Sequence, residues 1–549
     1  MAKPYQHVGG LKPRLNVFNT SQAHLYDCRM GELIPVYVKE CIPGDRKKIT
    51  FQAVVRFLPL IAPILHTVML RVFSFFVPTR LLMNRETMQD LGDSGEWENF
   101  ITGGEDGTEA PALPLWGDTI INSQPAFQYP AGGYPIGSLY DHLGHEPGVI
   151  PTQGSKPLAF SKRGYNLIYN EYFRDQNVEE KIPLDSDVIK YVMWQKDRFT
   201  SALYDTQRGD RPAIPLQGLT SVNFNGIATN GSYSIPLFGI GSDGTNDILT
   251  NSGYGGTVSQ YNTNAGGNPP VLSNYPSSGD SPAVKFKNWL NNNSINLSQA
   301  VTFDTIEMRR LFQIQKYLER NMRVGSRYTE QLVGRFGVFP EDQRLQRPEY
   351  IGGANAPILI SEVLQTSKTE GSQALGEMGG HAITAEVSKL GRYNVREHGY
   401  LYVLAVIQPK TLYTQGIERI WQRRTRYDFP TPELVNLSEI GVKNSELVIT
   451  GNARDDEIFG FQGIYDEMRV SEDRVSGNMR TTLNYWHLGR DDFNRANPPN
   501  LNYNFIKCQP TERIFTQNIE PNIIVHFGTH IIEQRPLPVI AEPGLIDHH

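Results

Sequence analysis

Several groups of residues in this 549-residue chain have types that do chemistry, and each implies a different reaction. Carboxylates pair at Asp455-Asp456-Glu457, Asp466-Glu467 and Asp491-Asp492. Two acids flanking a glycosidic bond would make a glycosidase. Acidic pairs are also common on solvated turns, and nothing in the sequence isolates one acid in an apolar pocket. No DxDxDG spacing offers a calcium loop. His398, His487, His526 and His530 are dispersed, and the segment carrying the last two alternates like a strand. The tail Asp547-His548-His549 is a weak metal site at best. Gly239-Ile240-Gly241-Ser242-Asp243-Gly244 matches GxGxxG in form, but a polar loop surrounds it where a strand and a helix are required. GxxxxGK[ST], HExxH and GxSxG are absent. Cys28, Cys41 and Cys508 are odd in number and widely spaced, so they read as free thiols. No catalytic residue, metal or cofactor is expected.

One tract carries more. Arg419–Phe429 (RIWQRRTRYDF) sets Arg419, Arg423, Arg424 and Arg426 beside Trp421 and Tyr427. Arginine with aromatics holds single-stranded DNA without regard to sequence, through stacking and phosphate pairing. The same side chains join protein subunits through bidentate pairs and stacking, and that reading is favoured here. Lys3, Lys12 and Arg14 are a weaker set of DNA candidates. The net charge of −6 excludes a protein that condenses nucleic acid by bulk charge.

The elements that must position these residues are mainly strands. Glycine (50) and proline (36) are plentiful, as are tyrosine (26) and phenylalanine (25), which favours strands, turns and long ordered loops. Lys47–Phe57 alternates strictly, with Ile49, Phe51, Ala53, Val55 and Phe57 on one face. Ile34–Val38 is a strand closed by Pro43-Gly44-Asp45, and Val68–Val77 is apolar on both faces. Tyr400–Ile407 and Pro521–Glu533 repeat this character near the other end. If these strands pair, the fold unites its termini and loops out its middle. Helices are predicted over Arg163–Arg174 and Thr305–Met322, the second capped by Asp304 with Glu307 and striped by Met308, Leu311, Phe312, Gln315, Leu318 and Met322. A weaker third spans Thr414–Arg424.

Residues 1–30 are polar and read as an arm ordered on docking. Their start has no apolar core, so no secretory signal is expected. The apolar run Phe57–Leu70 is too short to span a bilayer and reads as a buried loop or subunit contact. Val222–Val284 is dominated by glycine, asparagine, serine and threonine. A loop of that length is functional or disordered. Its flanks belong to one body, which makes it an insertion.

A series of segments then resembles one family along nearly the whole chain. Arg163–Asn177 (RGYNLIYNEYFRDQN), FQIQKYLER, RLQRPEYIGG, EHGYLYVL, RIWQRRTRYDF, LNYWHL and the terminal PGLIDH follow in order. LIPVYVKECIPGD and FSFFVPTRL precede them. They resemble the major capsid proteins of the Microviridae, small icosahedral single-stranded DNA phages, and of the gokushovirus branch in particular. The resemblance implies an eight-stranded antiparallel jelly roll, a viral β-sandwich with large loop insertions and a few short helices, forming one domain over 1–549. It implies a T=1 shell of identical copies around a circular single-stranded DNA genome. A small basic DNA-packaging protein, an internal scaffolding protein, a pilot protein and a host surface receptor would be partners. Assembly would take place in the host bacterial cytoplasm. It also makes residues 222–284 a surface protrusion, where Tyr233, Tyr254, Tyr261 and Tyr275 would anchor host contact, since adaptable recognition loops use Tyr, Asn, Ser and Gly. The rival reading is an extracellular β-rich carbohydrate-active enzyme or lectin, suggested by the aromatics and acidic pairs.

Overall fold

The alternation in Arg46–Phe57 sets the centre of the fold. Ile49, Phe51, Ala53, Val55 and Phe57 are buried, while Lys48, Gln52 and Arg56 face outward. The computed structural model describes residues 14–83, 95–104, 111–117, 129–212, 237–240, 246–249, 305–364, 378–437, 439–516 and 521–540. Its strands are β1 (Asn16–Asn19), β2 (Gln22–Cys28), β3 (Ile34–Cys41), β4 (Arg46–Phe57), β5 (Val68–Pro78), β6 (Leu237–Ile240), β7 (Asn246–Leu249), β8 (Glu349–Pro357), β9 (Ile360–Leu364), β10 (Met378–Asn394), β11 (Gly399–Pro409), β12 (Glu439–Lys443), β13 (Ile458–Gly463) and β14 (Ile523–Arg535). Each strand predicted from alternation is present, and all pairings are antiparallel.

Two larger sheets make the body. A six-stranded sheet runs β1-β14-β4-β10-β9, with β2 also on β14, and a four-stranded sheet runs β3-β11-β5-β8. The ends of the chain do meet, since Phe51 on β4 opposes Thr529 on β14 and Leu401 on β11 opposes Phe76 on β5. The main core lies between the sheets, with Phe51 stacked on Phe527 at 5.3 Å. Burying such a ring contributes about 1.5–3 kcal/mol. Lys47 is buried in a charge cluster with Glu533 and Asp45, and Arg535 adds a 2.9 Å pair to Asp45. These ions tie β4 to β14. Without β1 and β2, each large sheet has four strands. Both of those strands lie inside the segment read as an arm, so residues 16–28 join the sheet.

The four-stranded sheet is covered on its other face by α1 (Phe160–Ile168), which continues as a wider π-helical turn over Tyr169–Phe173. It carries most of the run Arg163–Asn177, and the side chains of Arg163, Tyr165, Asn166 and Asn170 bond inside the protein. Arg163 forms a bidentate pair with Asp185 (2.9 and 2.9 Å) and donates to the Leu82 carbonyl (2.8 Å). Asn166 donates to the carbonyls of Leu184 and Ser186, and Asn170 both donates to Ile182 and accepts from it. The Tyr165 hydroxyl donates to Leu33 and accepts from the Lys190 amide. The segment thus satisfies the buried backbone of the loop that follows it. Gly164 faces the Tyr402 hydroxyl on β11, where any Cβ would collide. Beside the start of α1, His145 packs on Tyr140 and Trp116 (ring centroids 4.8 and 5.7 Å).

Two further helices are α2 (Thr305–Val324) and α3 (Tyr328–Phe336), the latter ended by Gly337 in the left-handed region (φ 68°). The stripe predicted on α2 does not all face a core. Met322 is buried, whereas Met308 and Phe312 are exposed. The predicted helix over Thr414–Arg424 is a correction. Tyr413 and Gln415 bridge to Arg490 and Val448 as extended backbone, and the Gln415 amide exchanges hydrogen bonds with Phe493. These tertiary partners override helix propensity and leave a single tight turn, Arg419–Trp421.

The chain divides into two compact units, Met1–Arg208 with Glu319–His549, and Gly209–Leu318. Within the second, β6 and β7 form a hairpin. Gly239 and Ile240 of the GxGxxG match lie on β6, with Ile240 opposite Asn246 of β7, and its remaining residues lie outside the described residues. Most of residues 222–284 lies outside the described residues, including Tyr233, Tyr254, Tyr261 and Tyr275.

Candidate functional site

The basic–aromatic tract is held by a small lobe with its own core. β12 and β13 pair, and the one-turn helix α4 (Asn444–Leu447) follows β12. Val442, Leu447 and Phe459 pack there with Phe199, Phe505 and Ile506. This core brings Glu446, 3% exposed, under the tract. Glu446 accepts from Arg198, from Arg419 (3.0 Å) and from the Lys443 amide (3.0 Å). Arg198 also binds Gln462 (2.9 Å) and Glu472 (2.8 Å).

The six candidate residues separate into two sets. Arg419 is an internal anchor, since besides Glu446 it donates to the Gly441 carbonyl (2.8 Å). Burial pulls its guanidinium below the usual range, with Glu467 opposing and Arg198 adding to the shift. Arg423 is the second anchor, paired with Glu467 (3.2 Å) and set over the Phe429 ring at 5.4 Å. The Tyr465 hydroxyl donates to the Phe429 carbonyl (3.2 Å), pinning the far end.

Trp421, Arg424, Arg426 and Tyr427 form the outward set. Trp421 is 67% exposed and Tyr427 58%. Arg426 lies over the Tyr427 ring at 4.7 Å. The turn beneath them is rigid, because Asp428 accepts from the Thr425 (2.7 Å) and Arg424 (2.9 Å) amides. Those donors hold the Asp428 carboxyl below the usual range. Two guanidinium groups and exposed rings on a fixed turn make a surface for stacking and for pairing with anions. Nearby Val435 and Leu437 are also exposed.

Of the weaker DNA candidates, Arg14 is exposed and precedes β1, while Lys3 and Lys12 lie outside the described residues. The acidic pairs serve structure. Asp455 caps a turn by accepting from Thr450 and Gly451, Asp456 pairs with Lys443, and Asp491 pairs with Arg513. No cluster of metal-ligating residues occurs among the described residues. All three cysteines are buried, and burial pushes the Cys41 and Cys508 thiols up to about 12, so neither is a thiolate near neutral pH. No helix among the described residues is long and apolar enough to cross a membrane.

Sequence reasoning missed the division within the tract, because Glu446 and Glu467 lie 27 and 44 residues from the arginines they hold. The signal was present only as the acidic residues themselves.

Comparison with known proteins gives the family. The capsid protein (F protein) family matches residues 9–545. Capsid protein VP1 of Chlamydia phage 1 is 29% identical over 607 residues, covering 97% of this chain and 96% of that protein. Capsid protein VP1 of Bdellovibrio phage phiMH2K is 31% identical, covering 96% and 95%. Capsid protein VP1 of Spiroplasma virus 4 is 30% identical, covering 94% and 92%. With its β-sandwich, anchored lobe and full-length match to these relatives, this chain belongs to the capsid protein (F protein) family of small phages and is a structural capsid protein.

Proposed function

We propose that many copies of this chain close into a T=1 icosahedral shell around a circular single-stranded DNA genome. The observation that carries this is the end-to-end match, residues 9–545, to a family of capsid proteins whose relatives have the same extent. The two packed sheets serve as a jelly-roll block, eight strands in two fours, with β1 and β2 added at one edge. Icosahedral symmetry supplies about sixty equivalent positions with heterologous contacts that close into rings. Trp421, Arg424, Arg426 and Tyr427 join neighbouring copies. A monomer that holds such rings in water on a rigid turn has a surface suited to burial against a partner. The insertion 222–284, with Tyr233, Tyr254, Tyr261 and Tyr275, meets a host surface receptor. A small basic packaging protein, an internal scaffolding protein and a pilot protein complete assembly in the host cytoplasm, and the product is the virion. The chain acts mechanically and not as an enzyme.

Expression of the full chain with its phage partners, followed by sedimentation and electron microscopy, tests this. Closed particles of uniform diameter are expected. A chain that stays monomeric at high concentration with those partners present would refute the shell. Deleting residues 222–284 should preserve particles and abolish adsorption to cells, and unchanged adsorption removes the host-contact role.

A further inference from the structure

β2 is held more lightly than the strands around it. Among the described residues it pairs with β14 and with no other strand. Alternation turns His24, Tyr26 and Cys28 toward the interior, where Tyr26 and Cys28 are buried, while Leu25 stands in water. Beside this face lies the one-turn helix Leu139–His142, fixed to the body by buried Leu139 and Tyr140. The rings of His24, Tyr26 and His142 meet there. His24 lies 5.1 Å from Tyr26 and 6.2 Å from His142, and Tyr26 meets His142 edge to face at 6.0 Å. His142 is buried, and His24 also bonds the Val36 backbone on β3. Two imidazoles thus form the joint between an edge strand and an anchored turn.

We propose that His24 and His142 are an acid-sensitive latch, which holds β2 to the body at neutral pH and frees it in mild acid. Neutral imidazoles pack in ring contact, whereas a doubly protonated pair sets two like charges against each other. Burial holds both rings below the usual range, and the charge of His24 adds to the shift at His142. The acids that oppose this are already spent or in water. Asp141 acts on both rings, but its carboxylate accepts from the Gly137 amide (2.8 Å). Asp27 acts on His142 and is exposed on the other face of β2. Tyr26 and Cys28 stay neutral, since burial raises both well above their ordinary values. β14 sets uncharged Phe527 and Val525 opposite His24 and Tyr26. His145, in the same loop as His142, packs on Tyr140 and Trp116. A released β2 lets both rings take up protons near their ordinary value of 6.5, which the docked strand resists. The hold is therefore fully present above pH 6.5 and is lost as pH falls below it. Two interacting sites make that loss steeper than one.

The test is hydrogen exchange on the full chain, read by mass spectrometry as protection factors, which divide out the intrinsic effect of pH on exchange. With two protons linked to opening, protection over residues 22–28 should fall by about 10- to 100-fold between pH values of about 7.5 and about 5.5, while β5 and β11 keep theirs. His142→Phe leaves one titrating ring and should reduce the fall to about its square root. His24→Phe with His142→Phe should abolish it. His145→Phe is the control and should leave it in place. Equal protection at the two pH values overturns the latch. So does a fall shared with β5 and β11, which is global unfolding, or a fall that survives in the double variant. The wild-type chain alone decides the first two cases, so the outcome does not depend on a variant that folds. No assembly is needed, and failure of the capsid reading would leave this result unchanged.

Discussion

The family-like segment Arg163–Asn177 and the tract Arg419–Phe429 share residue types and are put to opposite uses. Both combine arginine with aromatic residues and an aspartate, and both look in sequence like recognition surfaces. In the first, Arg163 is 3% exposed and Asn166 and Asn170 are fully buried, and each is spent on internal backbone or on Asp185. In the second, two arginines are spent the same way, while Trp421, Arg424, Arg426 and Tyr427 stand in water. A polar segment is structural when the fold brings unsatisfied backbone to it, and available for partners when the fold does not. Composition alone does not separate the two cases.

The comparison can be broken most directly at Asp185. Asp185→Ala removes a carboxylate paired with the buried Arg163 and Lys162, and should destabilise the chain by about 3–5 kcal/mol in denaturant titrations. A loss below about 1 kcal/mol would mean that the Arg163–Asp185 pair does not hold the segment in place. Gly164→Ala comes next, because its methyl group meets Tyr402 on β11. Overpacking of this kind costs about 1–3 kcal/mol, read as a lower denaturant midpoint.

Acid provides a third contrast. Burial pushes the His145 imidazole down to about 4. The unfolded chain takes up that proton near its ordinary value of 6.5 while the folded chain resists it. The stability from neutral His145 is therefore fully present above pH 6.5 and lost as pH falls toward 4. His145→Phe should flatten the melting temperature across that window, and an unchanged pH profile would remove the histidine from the account. The smallest effect on folding is expected at the exposed tract. Trp421→Ala with Tyr427→Ala should change subunit stability by no more than about 0.5 kcal/mol. The same pair should abolish or sharply reduce particle yield, measured by sedimentation. Normal yield would leave the tract without its proposed contact.

The strands were legible because their signals are local. Ile49 to Phe57 alternate within one segment, and the burial pattern follows that alternation residue by residue. The helix over Thr305–Val324 was legible for the same reason, although exposed Met308 and Phe312 show that a stripe does not reveal what covers it. The Arg419 and Arg423 anchors were not legible, because their acids belong to other elements. The opposition of Lys48 to Arg392 was hidden further. Lys48 and Arg392 become neighbours only through pairing of strands more than 300 residues apart, and each alone is an ordinary outward residue of an alternating strand. β1 and β2 were missed because short polar strands borrow their stability from β14.

The position of β14 has a consequence for synthesis. It lies between β4 on one side and β1 with β2 on the other, and residues 523–535 are made long after all three of those strands. Until then the edge of β4 is unpaired, β1 and β2 have no sheet to join, and Lys47 lacks Glu533. The nascent chain is therefore an incomplete sandwich with an exposed edge, the form most exposed to aggregation and most dependent on chaperones. A product that stops before β14 cannot join β4 to β1 and β2, so the sheet stays unfinished.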